Sequence, residues 1–131
     1  MYKGIITNKT ATADTNIPFT TTMQSNGKTV WNGSDNTVQI TASGYYEVNV
    51  QLVLTGVAVG DVTASLMGNG SSITEAQNIA TVGATTDYHT LTIHDVLKVN
   101  PSNTNVLANL GVQISEAGTI ESGVITVQAV R

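Results

Sequence analysis

The stretch SGYYEVNVQLVLTG, Ser43–Gly56, decides the fold. Its even positions Tyr46, Val48, Val50, Leu52 and Leu54 are apolar, while Tyr45, Glu47, Asn49, Gln51 and Thr55 carry polar groups, with Val53 the one exception. Side chains alternate between the two sides of a strand, so this period of two predicts a long strand with one face in a core. The chain has only four tyrosines, yet two stand side by side at the head of this run, directly after Gly44. Alternation sends one of them inward and the other outward.

The same period recurs on both sides. In DVTASLMGNG (61–70), Val62, Ala64 and Leu66 share a face, as do Val106, Ala108, Leu110, Val112 and Ile114 in NVLANLGVQIS (105–115). The runs IPFTTTM (17–23), TVQITA (37–42), YHTLTIHDVLKV (88–99) and GVITVQAV (123–130) read as further short strands. Between them lie turn signals: Asn26-Gly27, Asn32-Gly33, Ala42-Ser43-Gly44, residues 55–61, Asn69-Gly70, Asn100-Pro101 and EAGTIESG (116–123). SSITEAQNIA (71–80) reads as a short strand followed by a loop. Seven to nine short strands at this spacing predict an all-β sandwich.

Two segments depart from the rule of one wet face. GVITVQAV sets Ile125, Val127 and Ala129 on one side but Val124 and Val130 on the other, so a second covering surface is expected over the latter pair. In HTLTIHDVLKV, Asp95 shares the parity of Leu91, Ile93, Leu97 and Val99. A bulge near His94-Asp95-Val96 would take that carboxylate out of the core.

Composition agrees with a β fold. The 131 residues suffice for one core, and 21 Thr, 16 Val and 10 Ile are β-branched residues that favour the pleated surface of a strand. Charged residues are 11% with a net charge of -4, and the five basic residues are scattered, which leaves no cationic patch for nucleic acid. No run approaches the ~20 apolar residues of a membrane-spanning helix. There are no cysteines, hence no disulfide and no thiolate metal site.

The order of these elements carries a resemblance. A short strand TVQIT, then ASGYYEV, a long alternating strand, a hairpin bearing Asn-Gly and a final GVITVQAV together resemble the tumour-necrosis-factor-like jelly roll, a superfamily that includes complement-type globular heads. The resemblance runs from about Ile17 to Val130, leaving an N-terminal segment 1–16 before a jelly-roll domain at 17–131. It implies a TNF-like two-sheet sandwich of about ten strands, assembled as a homotrimer. The strands beginning at Gly44 and about Tyr88, and the last strand, would share the inner sheet. Tyr45, Glu47, Asn49 and Gln51 would then face partner subunits, joined by Val124 and Val130. Relatives often carry an aromatic residue where this chain has Asn49, so its threefold axis is expected to be wetter.

Within that superfamily the chain is most similar to small bacteriophage virion proteins. It starts with Met1, shows no collagen-like repeat and no export signal, and is rich in Thr, Ala, Asn and Val. The expected role is a non-enzymatic capsid-decoration or head-fibre protein, made in the bacterial cytoplasm and placed on the capsid surface, with itself and a capsid protein as partners. The other reading is a module for host-surface glycan or receptor on a phage or bacterial spore surface, with Trp31 or Tyr88 as the contact. The segment 1–16, holding Tyr2, Ile5 and Ile6, is either the first strand or an arm that attaches to the capsid.

No catalytic, cofactor or metal site is expected. His89 and His94 are five residues apart on one strand and point to opposite faces. His94-Asp95 cannot form part of a Ser-His-Asp relay, because neighbours on a strand face apart and no Gly-x-Ser-x-Gly elbow is present. GNGSS (68–72) lacks the lysine and helix of a phosphate loop and reads as a hairpin turn. Asp14, Asp35, Asp61 and Asp87 fall in separate turns, too dispersed in sequence to suggest a calcium site.

Overall fold

The computed structural model describes residues 1–25 and 27–130, so the Asn26-Gly27 turn lies partly outside the described residues. They form ten strands: β1 (Tyr2–Ala11), β2 (Thr20–Gln24), β3 (Thr29–Asn32), β4 (Thr37–Ile40), β5 (Gly44–Thr55), β6 (Gly60–Gly68), β7 (Ser71–Val82), β8 (His89–Val99), β9 (Ala108–Ile114) and β10 (Gly118–Val130). One sheet has the order β2-β1-β10-β5-β8 and the other β3-β4-β9-β6-β7, with every pairing antiparallel. The inner faces bury Val48, Val50, Leu52 and Leu54 of β5 against Val62, Ala64 and Leu66 of β6 and Leu110, Val112 and Ile114 of β9. Burying such side chains contributes roughly 1.5–3 kcal/mol each relative to exposure, and the alternating strands supply most of them.

Local chemistry explains the turns. Asn69 (φ 52°) and Gly70 (φ 85°) form the tight β6–β7 hairpin, where both central residues need the left-handed region that Asn and Gly tolerate. Gly44 at φ 141° opens β5, and the hydroxyl of Tyr46 donates back to the carbonyl of Ala42 at 2.6 Å, tying the turn to the core.

The ten strands agree with the number the resemblance implies and exceed the seven to nine read from alternation, because Tyr2–Ala11 forms β1 and Thr29–Asn32 forms β3. Residues 71–82 form one continuous strand, not a short strand and loop, because β7 absorbs its irregularity as a bulge opposite Leu66. The stretch 118–123 is strand, not turn. Trp31, beside the Asn32-Gly33 turn signal, is the third residue of β3.

The irregularity expected near Asp95 lies elsewhere. β8 pairs with β5 without interruption from Gly44↔Val99 to Leu54↔His89. The bulge is in β10, between Ile120 and Ser122, and opposite it Asn8 of β1 adopts φ 49°. Both strands change parity there: Ile6 and Ile120 are buried at even positions, Ala11, Ile125 and Val127 at odd ones. The chain places a bulge where β-branched runs of opposite phase must meet, which the 94–96 stretch does not require.

Asp95 therefore stays on the inward side of edge strand β8. Its Oδ1 accepts from the N–H of Val96 at 2.9 Å, while its Oδ2 is buried without a partner. An inward charge on an edge strand opposes edge-to-edge pairing. The amide of Asn78 on β7 also caps that strand, donating to the Thr92 carbonyl at 3.0 Å. Replacing Asp95 by Leu removes an unsatisfied buried oxygen and is expected to raise unfolding stability by about 1–3 kcal/mol in urea melts. Turbidity on storage should rise as the gatekeeping charge is lost.

The buried phenols impose a pH limit. Burial pushes Tyr2 above its ordinary value of 10.0, partly offset by a hydrogen bond from the Thr21 hydroxyl, and burial also raises Tyr46. The folded state then holds these protons longer than the unfolded chain, so their contribution is complete below about pH 10 and is lost as pH rises through the raised values. The melting temperature should be flat toward pH 9 and fall above 10, and the fall should be shallower in Tyr46→Phe.

Candidate functional site

The outer face of the first sheet gathers the residues expected at a subunit contact. Cross-strand register builds it in rows: Val130, Tyr45 and Lys98; then Gln128, Glu47 and Val96; then Lys3, Thr126, Asn49 and His94; then Ile5, Val124, Gln51 and Thr92. The six residues Tyr45, Glu47, Asn49, Gln51, Val124 and Val130 thus occupy one continuous surface on two adjacent strands. Tyr45, Val96, Val130 and Ile5 are exposed large apolar side chains there, at 52%, 49%, 45% and 38%. Val124 is half-buried.

Polar groups sit among them. Glu47 accepts from the Asn49 amide at 3.3 Å and lies 3.4 Å from Nε2 of His94. A hollow of about 340 Å³ opens beside them, lined by Asn49, Gln51, Thr92, His94, Val124 and Thr126. The middle strands of the other sheet differ: β6 and β9 turn Thr63, Ser65, Asn109 and Gln113 outward, with Met67 the one large apolar side chain among them. The first sheet's outer face thus carries the exposed large apolar side chains of Tyr45, Val96, Val130 and Ile5, while the second sheet's is mostly hydroxyls and amides, with Ile79 of β7 exposed opposite Thr63.

The remaining candidates are dispersed. In the N-terminal segment, Tyr2 and Ile6 are buried in the core at 0% and 5% exposure, and only Ile5 of the three faces outward, beside Val124. Trp31 is half-buried and stacks on Tyr2 at 5.6 Å with the rings 9° from parallel. Tyr88 is exposed in the loop before β8. No signal in the chain pairs Tyr2 with Trp31, because 29 residues and two sheets separate them.

Among the described residues, the histidines and aspartates singled out in the sequence do not converge on one site. His89 turns inward with a buried, unpartnered Nε2, and His94 turns outward, as the uninterrupted register requires. Among the described residues no three His, Cys, Asp or Glu side chains converge for a metal ion. Asp35 accepts from the Thr37 hydroxyl, Asp61 from the Thr81 hydroxyl and Asp87 from the Ala84 N–H, each a local structural bond.

No family model matches the chain, and no curated protein sequence does. Solved structures do. The Eiger TNF of S. frugiperda superposes with a TM-score of 0.73 at 9% identity, covering 99% of this chain and 93% of that one. The fold is a TNF-like jelly roll. The globular domain of zebrafish complement 1qA gives a TM-score of 0.72 at 8% identity over 99% of this chain and 96% of that one. Murine APRIL gives 0.70 at 10% identity over 97% and 98%. In this TNF-like jelly roll, β5, β8 and β10 share one sheet, as the resemblance implies. Identities this low speak to the backbone fold and not to the chemistry carried on it.

Proposed function

We propose that the protein is a non-enzymatic structural module that works as a homotrimer, packed through the outer face of the β2-β1-β10-β5-β8 sheet. The observation that carries this reading is the exposed apolar set on that face, with Tyr45, Val130 and Val96 gathered at one end and Ile5 beside the half-buried Val124 farther along it. Clustered exposed apolar side chains mark interaction surfaces, whereas single ones need no explanation. The amides of Asn49, Gln51 and Gln128 and the Glu47–His94 pair supply hydrogen bonds across a contact that is wetter than an aliphatic one. Trimeric jelly rolls among the structural neighbours' fold class are consistent with a sheet face as the joint.

Sedimentation or light scattering at micromolar concentration tests the assembly. The expected mass is about three times the 13.6 kDa protomer, and a monomer would overturn the reading.

The specific setting we infer is a bacteriophage virion, with the trimer on the capsid surface as a decoration or head-fibre protein. Its support is the low-charge, Thr- and Asn-rich composition and the element order described above. Three copies on one particle multiply weak contacts by avidity. Tyr2 and Ile6 are engaged in the core, so docking to the capsid would use exposed loops or the Ile5 edge. Mass spectrometry of purified particles is the test, and absence of the chain from them would reject this setting.

A further inference from the structure

A polar groove crosses the outer face of the second sheet, away from the Tyr45–Val124 surface. Register sets Gln77, Ser65 and Gln113 side by side across β7, β6 and β9. The Gln113 amide donates to Oδ1 of Asn16 at 2.9 Å, extending the row onto residues 14–17. That segment continues the sheet where β4 stops, with the N–H groups of Asp14 and Ile17 donating to the carbonyls of Ile114 and Val112. Two features make the surface concave. In β7 the pairing jumps from Ser65↔Gln77 to Met67↔Ser72, so the strand bulges away from β6. Asp14, held at φ 55°, forms the opposite wall. The hollow is about 340 Å³.

The fold engages one hydroxyl of this lining, the Oγ of Ser115, which accepts from the N–H of Thr63 at 2.8 Å, and leaves most of the other polar side chains free. Among the described residues, the side chains of Asp14, Ser65, Ser72 and Gln77 make no hydrogen bond, and Gln113 uses only its Nε2. Among the described residues no Lys or Arg lines the hollow, so phosphate, sulfate or nucleic acid finds no counter-charge among them. Met67 and Ile114 are its only large apolar residues, too few to hold a lipid or an apolar peptide. Hydroxyls that both donate and accept, planar amides and one carboxylate match a ligand dense in hydroxyl groups, and Met67 offers a small apolar surface to its C–H face.

We propose that this groove binds a neutral saccharide of one or two sugar units. The proposal does not depend on self-association, since it uses the opposite sheet. The test is a titration of the isotope-labelled full-length protein with glucose, galactose, mannose, N-acetylglucosamine and their disaccharides, followed by NMR. At least one sugar is expected to shift the side-chain amides of Gln77 and Gln113 and the backbone signals of residues 63–67, leaving β5 and β10 unmoved. Asp14→Asn and Gln77→Ala should each weaken that binding by about tenfold, a loss of the size of one hydrogen bond to a charged or oriented group, with melting temperature unchanged. Ser65→Trp, which fills the groove from an outward position, should abolish it. The proposal is overturned if no sugar of the panel moves these signals, if calcium alone moves them, or if the shifts persist in the Asp14 and Gln77 variants.

Discussion

A Val124→Arg variant is expected to remain folded and to become monomeric. Val124 sits between Ile5 and Gln51 in the middle of the apolar-bearing face, so in an assembled trimer the new guanidinium would be buried without a partner. An uncompensated buried charge costs about 3–5 kcal/mol, which weakens association by more than about a hundredfold at each contact. In the isolated protomer the same position borders solvent, where substitutions usually change stability by no more than about 0.5 kcal/mol. Light scattering should therefore report the protomer mass while circular dichroism and the urea midpoint stay close to those of the wild type. A variant that keeps the wild-type mass would place the joint on some other surface.

The adjacent tyrosines should behave in opposite ways. Tyr46 is 1% exposed, heads the core row of β5 and donates its hydroxyl to Ala42. Truncating it to Ala removes a large buried ring and leaves a turn carbonyl unbound, at an expected loss of about 3–5 kcal/mol in urea unfolding. That is a large fraction of the whole stability of a domain this size. Tyr45 is 52% exposed beside Val130 and Lys98. Its truncation should change protomer unfolding by less than about 0.5 kcal/mol and act instead on association, detected as a lower trimer fraction on dilution. Equal destabilisation by the two changes would contradict the assignment of one ring to the core and one to the outer face.

Much of this arrangement was legible in the chain. The alternating runs of β5, β6 and β9 define their own inward faces, because side-chain direction in a strand is a local property with a period of two. The pairing of Val124 and Val130 with Tyr45, Asn49 and Gln51 on one face follows from the doubled apolar pattern of the last strand together with the resemblance. Other features were not legible. The parity change at Asn8 and Glu121 involves two strands more than a hundred residues apart; alone, the stretch around Asn8 shows no break and the one around Glu121 reads as a turn, not as a bulge within a strand. β7 has weak alternation because its bulge shifts phase midway, so its twelve residues look like loop.

The sequence by itself determined that the chain is all-β, which sides of β5, β6 and β9 are apolar, that the five basic residues are scattered and that no cysteine is available for chemistry. Those are properties of composition and of near neighbours. Only the tertiary structure decided that Asp95 points inward, that Tyr2 stacks on Trp31, and that Asp14, Ser65, Gln77 and Gln113 meet in one groove. Each depends on which distant strands pair and in what register, and hydrogen bonding across a sheet sets that register only when the strands are brought together.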